Sequence, residues 1–351
     1  MTRSSSLRQP WWNHPAVYVC MVLTVLAVEA LSRTPHRGTQ RSPIVEEQRF
    51  LETLDARLDP VTTVAVAVQR PLLACLAVLA LLLGLAAWMA GWVLMVRWLH
   101  RARVLPTRLG SVTAWSISDI ARVVIVALFA AHLLPFAQVA LHVVTRRVVG
   151  DLHVWILVSM AVVDGSALLW IIALARARTR GWAARIGWTA RYGWRRLQQG
   201  VVTYLGILPA LSLAISVAVG LAASFNYTEP PEPLLGLLLN ESRWPVLALV
   251  TLFACVLGPL AEETFFRGVV YPALRRRWGV RWSVLISGGC FAALHTNLIG
   301  FLPIWLLGIT LACVYEATGS LVAPLALHML HNTILMTGVW FTRAFLGAAG
   351  P

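Results

Sequence analysis

Long apolar runs separated by short arginine-rich connections set the pattern of this chain. A helix needs about 20 predominantly apolar residues to cross a hydrocarbon core of about 30 Å. Nine candidate runs stand out: Ala16 to Ser32, Leu72 to Leu99, Val123 to Val144, His153 to Ala175, Val201 to Ser224, Pro245 to Pro272, Ser283 to Phe301, Leu302 to Ala317 and Leu321 to Thr342. The eighth is short for a span. The first follows Arg3 and Arg8 without a small-x-small cleavage site, so it reads as a retained anchor. The pattern predicts an all-α, polytopic transmembrane helix bundle of about eight to nine spans, with Pro135 and Pro209 expected to kink their helices.

Composition strengthens this reading. Apolar residues make up 58% of the 351 residues and charged residues 13%, with a mean hydropathy of +0.73, which is outside the range of soluble globular domains. The 29 basic residues are all arginine and exceed the 15 acids by 14. Because these arginines lie in the connections, their charge reads as topology and not as a nucleic-acid surface. The cysteines Cys20, Cys75, Cys255, Cys290 and Cys313 fall in apolar runs without CxxC spacing, which suggests neither a disulfide framework nor a thiolate zinc site.

Arginine placement also orients the chain. The connection Arg176 to Arg196 holds seven arginines and no acid, Arg97 to Arg108 holds four, and Arg275, Arg276, Arg277 and Arg281 follow the sixth run. By contrast, Glu229, Glu232 and Glu241 face Arg243 alone between Phe225 and Trp244, and Glu46, Glu47, Glu52, Asp55 and Asp59 mix with arginines after the first run. A cytoplasmic N-terminus therefore puts every strongly basic connection inside, and nine spans leave the C-terminus outside. Between Gly181 and Arg196 a Gly-Trp hexad repeats with arginine. Six residues advance a helix by about 600°, so its tryptophans share no face, and the repeat reads as an interfacial belt on anionic headgroups.

Against this background, Glu262-Glu263-Thr264-Phe265-Phe266-Arg267 stands inside a membrane run. A charge near the bilayer centre costs about 2.5 to 3.5 kcal/mol on insertion scales, so such residues mark function by default. Glu263 and Arg267 are at i and i+4 with the acid first, the favourable order for an ion pair. Glu262 lies about 100° round the helix and is left to face something else. Counting from the basic end, Glu262 is about 20 Å deep, His295 about 18 Å, and His328 and Asn332 about 10 to 17 Å. Polar groups from three helices thus meet in one layer, with His331 supporting them from behind. The same counting puts His132 and Asp164 level with one another, each sixteen residues from Val148, and predicts a structural pair between them.

Glu262-Glu263-x-x-x-Arg267, Phe291-x-x-x-His295 and His328-x-x-x-Asn332, in that order, resemble the motifs of the CPBP (CAAX protease and bacteriocin-processing, or Abi) intramembrane proteases. Gly308 to Leu321, with Tyr315, Thr318, Gly319 and Ser320, is also similar to that family's link between its last two motifs. The resemblance divides the chain into an N-terminal transmembrane region (1–244), a catalytic membrane domain (245–342) and a short tail (343–351). It implies an intramembrane endopeptidase in which Glu262 and His295 position and deprotonate a water. His328 and Asn332 would stabilise the oxyanion, while Glu263 and Arg267 orient the motif and Phe291 packs beside His295.

Glu262, His295 and His328 would also serve as zinc ligands with an open water position. There is no His-Glu-x-x-His helix, and the metal-free glutamate reading is preferred. The implied partners are a membrane-associated peptide or protein and the lipid bilayer, with no nucleic acid. The all-arginine, alanine-rich composition suits a GC-rich bacterium and hence an inner, cytoplasmic membrane. A transporter or proton-coupled channel would use the same acids and histidines as a relay, but the two halves show no pseudo-repeat. A non-catalytic scaffold of the same family is a third reading.

Overall fold

In hydrocarbon every backbone N–H and C=O must be satisfied within the protein, so apolar runs of this length close into helices. The computed structural model describes residues 14–32, 68–101, 115–145, 151–179, 181–189, 192–227, 237–238, 241–295 and 297–348. The acidic stretch from Glu46 to Asp59, the arginines Arg103 and Arg108, and Glu229 and Glu232 lie outside the described residues. The N-terminal region comprises α1 (Pro15–Ser32), α2 (Pro71–Arg101), α3 (Ile117–Thr145), α4 (Leu152–Arg178), the single turn α5 (Trp182–Arg185) and α6 (Gly193–Ser224). There follow α7 (Trp244–Leu252), a π turn (Phe253–Leu257), α8 (Gly258–Phe265), a second π turn (Phe266–Val270), α9 (Tyr271–Ala293), α10 (Leu298–Thr318) and α11 (Val322–Ala348).

Among the described residues, seven helical stretches are long and apolar enough to cross a membrane, and Pro15–Glu29 is a shorter apolar helix. One of the seven, Trp244–Ala293, is two helical limbs joined at a kink at Gly279, whose φ of 72° and ψ of 180° only glycine adopts readily. The sixth and seventh predicted runs are its two limbs. The limb 280–293 rises about 21 Å, less than the core is thick, and ends in a turn instead of continuing to Phe301. Asn297 sets the next start: its side chain accepts from the Gly300 N–H as an N-cap, so α10 begins at Leu298 and is a full-length helix, not the short run Leu302 to Ala317. At the other end, α11 continues to Ala348, so residues 343–348 are helix and not tail, and Arg343 donates to the Leu238 carbonyl at 2.6 Å.

The boundary at residue 244 marks where the motifs begin, but the core crosses it. Tyr204 and Leu211 of α6 pack with Phe266, Phe291, Leu311 and Leu327. Trp115, Ile171 and Leu174 pack with Val269 and Ala273. The Gly-Trp repeat takes part in this packing instead of lying wholly in the headgroups. Ile186 is fully buried, accepts from the Tyr315 hydroxyl at 3.3 Å, and its neighbour Gly187 accepts from the Leu321 N–H at 2.9 Å. Trp188 packs partly buried against the core, while Trp194 is exposed.

At the opposite end, Asp151 caps α4 by accepting from the His153 and Val154 N–H groups. The Arg243 guanidinium bridges Asp151 and Glu241, and His153 Nδ1 lies 2.7 Å from Glu241 Oε2. Its hydrogen bonds hold the Asp151 carboxyl down at about 2 and depress Glu241 as well. Both carboxylates in turn raise Arg243 above its usual value.

Candidate active site

Prolines shape the helix that carries the acidic motif. Pro259 and Pro272 have no N–H to give to the carbonyls four residues earlier, Cys255 and Gly268, and each of those carbonyls sits in a π turn. Just before each proline the chain reaches back five residues instead, Gly258 N–H to Phe253 O and Tyr271 N–H to Phe266 O. The eight residues of α8 are thus held between two wide turns, a distortion often found at functional sites.

Within this frame the two glutamates diverge as their spacing predicts. Glu263 is fully buried, and its Oε1 accepts from Arg267 at 2.9 Å and from His328 Nδ1 at 2.9 Å. Arg267, also buried, donates to the Gly308 carbonyl at 3.1 Å and lies 4.8 Å over the Phe291 ring. Gly308 can be reached because α10 touches the 280–293 limb backbone to backbone. A Cβ on Gly308 would meet the Gly288 Cα at 2.9 Å, a close approach that small residues permit in membranes.

Glu262 instead faces a cavity of about 420 Å³, which His295, His328, His331, Asn332 and Asp164 also line. Its Oε2 is buried with no hydrogen-bond partner and lies 3.8 Å from His328 Nε2. His295 stands in the turn after the 280–293 limb, its Nδ1 2.9 Å from the Phe291 carbonyl. A carbonyl only accepts, so Nδ1 carries the proton and Nε2 is left free. Irregular backbone at membrane depth is tolerated only where it lines a cavity, and both His295 and Asn297 line this one. Asn332 donates to the Ala254 carbonyl at 2.8 Å; Ala254 lies in the first π turn. His331 is 3.3 Å from the Tyr204 hydroxyl. Phe291 packs against the His295 and His328 rings, at centroid separations of 4.8 and 5.5 Å.

One expectation needs correction. His132 does not pair with Asp164: His132 Nδ1 bonds the Leu128 carbonyl at 2.8 Å, and Asp164 turns to the cavity and feels the charge of Glu262. The donor atoms of Glu262, His295 and His328 do not all lie within 4.8 Å of one another. Among the described residues one set of three has its donor atoms within 4.8 Å of one another, Asp151, His153 and Glu241, and there Arg243 already supplies the positive charge. Sequence reasoning also missed Glu316, fully buried under Tyr271 and Arg275, each at 2.8 Å. A lone glutamate in the eighth run was the available signal.

Residues 244–334 match the family model described as Rce1-like, type II CAAX prenyl endopeptidase Rce1-like. This region belongs to the CPBP family. The CPBP region also carries the similarity to individual proteins. "Uncharacterized 24.3 kDa protein" of Escherichia coli is 33% identical over 112 residues, 30% of this chain and 51% of its own. "Putative membrane peptidase YdiL" of Bacillus subtilis (strain 168) is 28% identical over 88 residues, 25% of this chain and 36% of its own. The chain thus spans about half the length of the first relative and less of the second. No solved structure matches the chain. With its helices, the CPBP region makes this an integral membrane protein.

Proposed function

We propose that this protein is an intramembrane endopeptidase that hydrolyses a peptide bond of a membrane-associated protein or peptide in a bacterial inner membrane. The observation that carries this reading is the Glu262 carboxylate, with Oε2 buried, without a hydrogen-bond partner and 3.8 Å from His328 Nε2 at the wall of the cavity. A carboxylate that faces the cavity without a cation from its own helix is placed to take a proton from a water there. Glu262 takes a proton from water as the water oxygen attacks the substrate carbonyl, and the free Nε2 of His295 holds the same water. Charge then develops on the carbonyl oxygen, where His328 Nε2–H and the Asn332 amide are the available donors. As the C–N bond breaks, the proton on Glu262 passes to the leaving amine.

Glu263 and Arg267 make this possible without touching the substrate. His328 gives Nδ1–H to Glu263, so it donates from Nε2 only as an imidazolium. The donor atoms of Glu262, His295 and His328 do not all lie within 4.8 Å of one another, and the steps above use none of them as a metal ligand. Peptide termini in membranes from cells expressing wild type or Glu262→Gln test the proposal. The variant loses specific termini, and on a peptide so identified its kcat falls by about 10² to 10⁴ with KM little changed. Unchanged termini with normally inserted protein would sink it. Wild type dialysed against a chelator retains its activity; loss that zinc restores would replace the metal-free mechanism.

A further inference from the structure

The cavity wall holds one carboxylate that this chemistry leaves unused. Asp164 lies midway along α4, outside the region that matches the family, and lines the cavity together with Met160 one turn earlier. α4 packs directly against α8, which carries Glu262.

Three other acids in the described helices have basic partners. Glu263 has Arg267 and His328, Glu316 has Arg275, and Asp119 has Arg178 and Arg122. Even Glu262 has His328 within 3.8 Å. Asp164 has no hydrogen bond or ion pair among the described residues, and the charge it feels is that of another carboxylate, Glu262. Asp164 is thus a cavity-lining carboxylate without a basic partner among the described residues. An intramembrane acid faces bundle interior or water and pairs with something. Here the space for its partner is the space where substrate would lie.

We propose that Asp164 is the specificity-determining carboxylate of this site, receiving an arginine or lysine side chain of the peptide substrate close to the scissile bond. The inference rests on the peptidase reading and names its substrate class. Asp164 need not touch the reacting atoms. It favours a cation over a neutral side chain of equal length by a charge-assisted hydrogen bond in a poorly solvated site, which corresponds to about ten- to a hundredfold in affinity.

The test uses the purified full chain in non-ionic detergent and two probes, dodecanoyl-arginine amide and dodecanoyl-norleucine amide, with Kd read by ligand-induced thermal stabilisation. Wild type binds the arginine probe about ten- to a hundredfold more tightly. Asp164→Asn abolishes the difference, and Asp164→Glu restores most of it. Met160→Arg leaves Asp164 in place but offers it a guanidinium one turn away, so it also abolishes the preference and covers the case in which Asp164→Asn does not fold. Equal affinities in wild type, or a preference that survives Asp164→Asn or Met160→Arg, overturns the proposal. A peptidomic profile unchanged by Glu262→Gln would overturn the peptidase reading separately, because the binding ratio is measured without turnover.

Discussion

Arg267 illustrates how much a single side chain does in a dry interior. It neutralises Glu263, donates to a neighbouring helix through Gly308 and covers the face of Phe291. Arg267→Leu leaves the Glu263 charge buried with a weaker partner and should destabilise the fold by about 3 to 5 kcal/mol, seen in thermal unfolding in detergent. Glu263→Gln combined with Arg267→Leu should recover part of that loss, because the stranded charge is gone. The opposed directions of Glu262 and Glu263 were legible in the sequence, since i to i+4 spacing fixes azimuth on one helix. The partner of Asp164 was not, because residue counting gives height in the bilayer but not direction within its plane. Asp164 was therefore matched to the histidine at its own level when it faces another helix.

Among the elements, the helix from Trp244 to Ala293 is shaped by three local exceptions to regular geometry. Pro259 and Pro272 open the two π turns, and Gly279 ends the first limb. Alanine at Gly279 cannot comfortably hold a φ of 72° with a ψ of 180°. Gly279→Ala should therefore cost about 1 to 3 kcal/mol, measured as a lowered unfolding midpoint, with the sharpest loss of protection from hydrogen exchange in the 280–293 limb. Hydrophobic runs disclosed that helices exist here but not these details, because a mean over twenty residues is blind to one proline or one N-cap. Asn297 was in plain view, yet an apolar count merged the turn before it into a span. A π turn is in effect an α-helix carrying one extra residue. The length of 253–257 thus sets the direction of Glu262, and removing one residue there would rotate the motif by about 100°.

For the whole molecule, the charged knot of Asp151, Glu241 and Arg243 ties the start of α4 to the start of α7. Both carboxylates are depressed in the folded state, so their stabilisation is present above the unfolded value of about 4 and is lost as pH falls through about 2 for Asp151. Unfolding midpoints should therefore be insensitive to this knot from pH 5 to 8 and fall below about pH 4. Arg243→Ala should lower the plateau and flatten that acid-side fall. Inside the molecule, α4 supplies one wall of the cavity and α6 a share of the core. By contrast, α2 meets α6 where Gly91 closes on Pro209 and Trp98 on Gly206, and is otherwise largely exposed. The region that resembles its relatives is therefore not a portable module. Cut out alone, it would lose the wall bearing Asp164 and bare the core faces of Phe266 and Val269. A chain that kept residues 244–334 while exchanging its N-terminal helices would have to rebuild the faces of α4 and α6 in some form, whereas α2 reaches that region through α6.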